Sequence, residues 1–179
     1  MNKFIKLPLF LGSVCLVFCS SLSIVANLCI PQIARNEEKK RTESYKKAYA
    51  NPVGDAQELK NVDFSAYSQI NGIALVKHNE NNGEVESYVY SLTTKDPQSG
   101  TCSFMLGLDK ATGVIDGYYM MTNSNAGYAD YYNDNAVVLE DLKADGQVTS
   151  AGITKTQKVV QECVDQAVAH YNATFGGNA

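Results

Sequence analysis

The stretch TCSFMLGLD, residues 101–109, decides the fold: Cys102, Phe104, Leu106 and Leu108 alternate with Thr101, Ser103, Met105, Gly107 and Asp109. Successive side chains of a β-strand point to opposite faces, so this period of two predicts a half-buried strand. Cys102 falls in the apolar series and is expected as a packed thiol rather than a reactive one. On either side, EVESYVYSLT (84–93) and GVIDGYYMMT (113–122) are rich in the β-branched and aromatic residues that strands favour. The turn-forming segments DPQSG (96–100) and DKATG (109–113) separate them from the central strand. Three strands joined by such turns predict an antiparallel meander, and GIALVK (72–77) offers a fourth strand.

Towards the C-terminus the period changes. Val160, Cys163, Val164, Ala167, Val168 and Tyr171 recur at helical spacing, with Gln161, Glu162, Asp165 and Gln166 between them. An amphipathic helix laid on the sheet follows, and strands first with a packing helix last make an α+β fold. His78, in a polar stretch after the fourth strand, and His170, near the end of the helix, are both expected at the surface. The tyrosines Tyr118, Tyr119, Tyr128, Tyr131 and Tyr132 are expected to pack, as aromatic residues of strands and adjoining turns do.

Towards the N-terminus, residues 7–30 form a 24-residue run without a charge. As a helix this run is about 36 Å long, enough to cross a hydrocarbon core of about 30 Å. An uncleaved, single-pass anchor in the cell membrane is the expectation, with a cleaved signal peptide as the competing reading. The soluble part is placed on the extracytoplasmic side. Residues 32–49 are polar and predict an exposed helical stalk, ended by Asn51-Pro52 and Gly54-Asp55.

Charge and composition exclude several functions. Of 15 basic and 19 acidic residues, 8 and 3 lie within the first 47 positions, leaving 7 basic against 16 acidic after them. A domain that acidic repels phosphate backbones, so nucleic acid is not an expected partner. With 2 histidines and 5 cysteines there is no three-histidine zinc site, and no Cys-x-x-Cys, H-E-x-x-H, G-x-S-x-G or phosphate-loop motif occurs. No catalytic or metal-binding residue is therefore assigned, and a hydrolase using a dispersed Ser/His/Asp set has no supporting motif.

The most informative junction is DGQVTSAGITKTQKVV (145–160). Thr154 followed by Gln157 matches a capping box at a helix start. A helix N-terminus also presents unpaired N–H groups and the positive end of the helix dipole, where a phosphate is stabilised. Lys155 adds a positive charge, and the small residues Ser150, Ala151 and Gly152 leave room for a bulky partner. Thr154 Oγ is then a candidate for esterification by a phosphate.

At this junction the chain resembles the FMN-binding domain shared by the G subunit of the Rnf electron-transport complex and the C subunit of sodium-translocating NADH:quinone oxidoreductase. That family carries a [Ser/Thr]-Gly-Ala-Thr motif with a further Thr or Ser shortly after, and its threonine holds FMN through a phosphoester added by a flavin transferase. Here Ala151-Gly152-Ile153-Thr154-Lys155-Thr156 stands in the matching place, with Ala151 and Ile153 departing from the motif. The resemblance extends to an N-terminal apolar helix ending in Pro31-Gln-Ile-Ala34, a charged stalk, and the strand block from Tyr88 to Tyr128. The family's Glu-Thr-Pro-Gly-Leu-Gly loop corresponds to Ser124-Asn-Ala-Gly127-Tyr-Ala129, where only the glycine is kept.

The resemblance implies an FMN-carrying electron-transfer subunit of a redox-driven membrane complex, working beside other subunits, a flavin transferase and the lipid bilayer. It implies a cofactor site of Thr154, Gly152, Lys155 and Thr156 at the junction and Asn125, Gly127 and Tyr128 in the loop. Covalent and non-covalent attachment both stay open. The organisation expected is a membrane anchor over 1–30, a stalk or linker over 31–61, and an FMN-binding-like domain over 62–175. The rival expectation is an anchored extracytoplasmic binding or structural module without cofactor.

Overall fold

A computed structural model describes residues 3–80, 83–94, 101–123, 136–148 and 154–176, without the side chains at 3–9, 13, 24, 26, 28, 34, 123, 136, 137 and 154–156. The chain divides into two compact units, Met1–Arg41 and Thr42–Ala179. The first is helical and belongs to α1 (Lys3–Lys46), whose last residues fall in the second unit. Among the described residues no helix is long and apolar enough to cross a membrane. The expected transmembrane helix therefore gains no support from the structure, although Phe10, Leu11, Leu16, Phe18 and Leu22 all stand exposed along α1.

The second unit is α+β, as the alternation at 101–109 predicts. Five strands, β1 (Pro52–Glu58), β2 (Ile70–Glu80), β3 (Gly83–Thr93), β4 (Cys102–Asp109) and β5 (Ile115–Asn123), pair antiparallel in sequence order. Two helices follow, α2 (Ala136–Asp145) and α3 (Thr154–Thr174). The strand β1 lies within the stretch that the sequence assigns to a linker. Its apolar content is confined to Val53 and Ala56, so no alternation announces it.

One face of the sheet carries Ile73, Tyr90, Leu92, Phe104, Leu106, Leu108 and Met120 against Val160, Cys163, Val164 and Ala167 of α3 and Val138 and Leu142 of α2. Cys102 and Cys163 are both buried free thiols in this layer. The opposite face is covered as well: Ala56, Ala74, Val76, Val89 and Met105 pack beneath Tyr45 and Ala48, with Tyr49 at their edge. β4 is consequently buried on both faces, not half-buried, because the end of α1 covers its polar-looking series.

Small residues make that cover possible. A β-carbon on Gly117 would lie 2.7 Å from the Tyr49 ring, and one on Gly107 would overlap the Tyr49 hydroxyl. Real side chains do not approach so closely, so the two glycines form the slot that Tyr49 fills. The turn after β4 is fixed by Asp109, whose Oδ1 accepts from Ala111 N, Thr112 N and Thr112 Oγ1 at 3.0, 2.7 and 2.7 Å. Gly113 closes it at φ 70°, in the left-handed region.

Candidate functional site

α3 starts at Thr154 and runs for 21 residues. Lys155 and Thr156 share its first turn; their side chains and that of Thr154, and the whole of Gly152, Asn125, Gly127 and Tyr128, lie outside the described residues. The first turn holds no acidic residue, and Lys158, one turn further on, is exposed. A helix start carries the positive end of the helix dipole, and a first turn without an acidic residue fits a phosphate group.

Two glutamines fix the chain that leads into this helix. Gln161 Oε1 accepts from Val148 N at 2.7 Å, while its Nε2 donates to Gly146 O at 2.8 Å and to Asp165 Oδ1 at 2.9 Å. Gln157 Nε2 donates to Val148 O at 2.9 Å, a tie that a capping pattern does not anticipate. The Val148 side chain is buried in the core. Gly146, at φ 71°, ends α2 by donating its N–H to Leu142 O at 3.0 Å.

A second polar cluster was not expected from the sequence. His78, expected at the surface, is 2% exposed within β2. Its Nε2 lies 3.0 Å from Ser87 Oγ and 3.3 Å from Asp116 Oδ2. The Ser87 hydroxyl also donates to Asp116 Oδ2, and Tyr49 OH donates to Asp116 Oδ1 at 2.6 Å. Burial, and then the Asp116 carboxylate, push the Tyr49 phenol well above its ordinary range, which keeps it a donor. Three donors thus converge on one largely buried carboxylate, which compensates its removal from water.

Asp116 reaches this position through a bulge. Gly107 pairs with Gly117 and Leu108 with Ile115, which leaves Asp116 as the extra residue of β5. Bulges re-aim side chains, and this one joins the carboxylate to Tyr49, Ser87 and His78. A cleft of about 360 Å³, lined among others by Glu80, Asp109 and Lys143, reaches Asp116.

Ser87, His78 and Asp116 do not form a hydrolytic relay. Such a relay needs the imidazole between its partners, with the hydroxyl on one ring nitrogen and the carboxylate on the other. Here both partners face Nε2, and Ser87 is fully buried. The cluster is a structural knot. A sequence signal for it existed in the parity of β2, where Gly72, Ala74, Val76 and His78 share one face and its small residues announce close cover.

His170 is also fully buried, contrary to the expectation from sequence. Its Nδ1 lies 3.1 Å from Tyr90 OH, and its Nε2 lies 3.3 Å from the Asp63 carbonyl. The neutral Nε2–H tautomer satisfies both, donating to the carbonyl and accepting from the phenol. Burial lowers the His170 pKa, and burial raises that of Tyr90. Of the tyrosines expected to pack, Tyr118 is buried in the core and Tyr119 is half-buried under Lys47, whose Nζ lies 5.4 Å from the ring centroid. Tyr128, Tyr131 and Tyr132 lie outside the described residues.

Among the described residues no group of three or more His, Cys, Asp or Glu is placed to hold a metal ion. In comparisons with known proteins, no family model, curated protein or solved structure matches the chain.

Proposed function

We propose that this chain is a membrane-anchored electron-transfer subunit carrying FMN, attached through a phosphoester at Thr154. The observation that carries the proposal is the start of α3 at Thr154, with lysines at 155 and 158 and no acidic residue in its first turn. The backbone N–H groups of the first turn and Lys155 would hold the phosphate, and the Thr154 hydroxyl would be the acceptor. The hydroxyl oxygen bonds to phosphorus, its proton leaves, and an activated flavin nucleotide loses its leaving group, so the chain gains FMN less one water. Bound FMN would supply one- and two-electron transfer, while the protein positions it and excludes side reactions. Gly152 and Thr156 flank the acceptor, and Asn125, Gly127 and Tyr128 are proposed to contact the flavin.

The anchoring part of the proposal is supported by the 24 uncharged residues 7–30 and by large apolar side chains exposed along them. An exposed apolar helix surface of this extent is stable when lipid covers it. Placement of the second unit outside the cytoplasm, beside the other subunits of a redox-driven complex, belongs to the same proposal.

Intact mass of the full chain, extracted from membranes of a host that supplies a flavin transferase, tests it against Thr154→Ala. The expected result is an adduct of FMN less one water on the wild type and none on the variant. Yellow colour lost on denaturation would indicate non-covalent binding. A colourless, unmodified chain overturns the proposal in favour of an anchored binding or structural module.

A further inference from the structure

We propose that a cleft on α1 seats the phosphodiester of an anionic phospholipid headgroup, with Arg35 as its counter-ion; this rests on the anchoring part of the reading above. The cleft has a volume of about 390 Å³ and is lined by Asn27, Pro31, Gln32, Arg35 and Asn36, all exposed and all within the first unit. Asn27, Pro31 and Arg35 recur every four residues, and so do Gln32 and Asn36, so two adjoining rows of the helix meet there. Pro31 has no N–H to give the carbonyl of Asn27, which leaves that oxygen open to a donor from outside the helix.

Position and charge name the occupant. The headgroup layer adds about 5–7 Å to each side of a hydrocarbon core, and residues 31–35, directly after the uncharged run 7–30, rise about 6 Å along the helix. Helical side chains lean towards the N-terminus, so Arg35 is carried back towards the apolar run. Its planar guanidinium matches a pair of phosphate oxygens. The described lining holds no carboxylate. Arg35, and Lys39 one turn further along the same row, form no ion pair among the described residues. Lys46, by contrast, is committed to Asp55, and Lys47 lies over the Tyr119 ring. The amides of Gln32 and Asn36 donate to phosphate, and the Asn27 carbonyl accepts from a headgroup hydroxyl, which phosphatidylglycerol carries and phosphatidylcholine lacks.

The test offers equal amounts of the two lipids to the full chain in detergent and counts retained lipid by native mass. The wild type is expected to keep one phosphatidylglycerol with about tenfold preference, the worth of a hydrogen-bonded charge pair. R35Q, on an exposed helix face, is expected to bring the preference within twofold, while K47Q, which removes the same charge outside the cleft, leaves it unchanged. Equal retention of both lipids by the wild type, a preference unchanged in R35Q, or a loss in K47Q as large as in R35Q overturns the inference and leaves the anchor intact. Displacement of phosphatidylglycerol by an equal concentration of glycerol 3-phosphate assigns the cleft to a water-soluble phosphate ester and overturns the lipid as occupant. Failure of the wild-type chain to float with phosphatidylcholine vesicles overturns the anchoring reading and the inference with it.

Discussion

The ring of Tyr49 lies flat on the imidazole of His78, with centroids 3.8 Å apart and planes 8° from parallel. The same phenol donates to Asp116, 67 residues away in sequence. One aromatic residue beyond the end of α1 thus joins the outer face of β2 to the bulge of β5 and closes the second unit on the side opposite α2 and α3.

That closure depends on space. Gly107→Ala is expected to expel the Tyr49 ring from its slot and destabilise the second unit by about 2–3 kcal/mol, the upper part of the range for overpacking a filled site. Tyr49→Phe keeps the ring and loses only the bond to Asp116, at a cost of about 1–2 kcal/mol. Urea unfolding of the two variants checks both the order and the sizes.

Asp116→Asn removes the charge on which three donors converge and is expected to cost about 1–3 kcal/mol. Because Ser87 is buried and its hydroxyl is committed to Asp116, a serine-directed fluorophosphonate should leave the native protein unlabelled at Ser87. Rapid labelling there, located by peptide mass, would restore the hydrolase reading.

His170 carries a pH dependence whose sign follows from its lowered pKa. Above the unfolded value of about 6.5, the native and unfolded states both hold it neutral and its full contribution is present. As pH falls through that value the unfolded chain takes up a proton that the folded chain resists, so stability declines until the lower native pKa is passed. Denaturant midpoints measured from pH 8 to pH 5 should fall more steeply for the wild type than for His170→Asn.

Cys163 is pushed up to about 12 by burial, and burial also raises Cys102. The thiolate is the reactive form, and burial disfavours it at both positions. Both residues should resist a thiol reagent in the native state and react together on unfolding. Fast native modification of either, mapped by mass spectrometry, would show that the core opens.

The sheet was legible in the sequence because its chemistry is local. Alternation through Cys102, Phe104, Leu106 and Leu108, and the turn built by Asp109, follow from strand geometry and short-range hydrogen bonds. β1 was not legible, since Pro52–Glu58 holds too few apolar residues to show a period and gains its place by pairing with β2. α2 was missed for a related reason: it is ten residues long, too short for the stripe of Val138, Leu139 and Leu142 to show a sustained period. α3 starts at Thr154, where the sequence expected a helix to begin, whereas the ties from Gln157 and Gln161 back to Val148 needed the packed structure to appear.

The sequence by itself determined the antiparallel order of the central strands, the amphipathic helix laid on them and the hydroxyl residue at that helix's start. Each of these depends on residues within a few positions of one another. Only the tertiary structure decided that the polar-looking face of β4 is covered, that both histidines are buried, and that Tyr49, His78, Ser87 and Asp116 meet. Those outcomes require the end of α1 and the residues just after it to fold over the sheet and a bulge to turn one carboxylate, and neither long-range closure nor a one-residue register shift leaves a periodic trace in the chain.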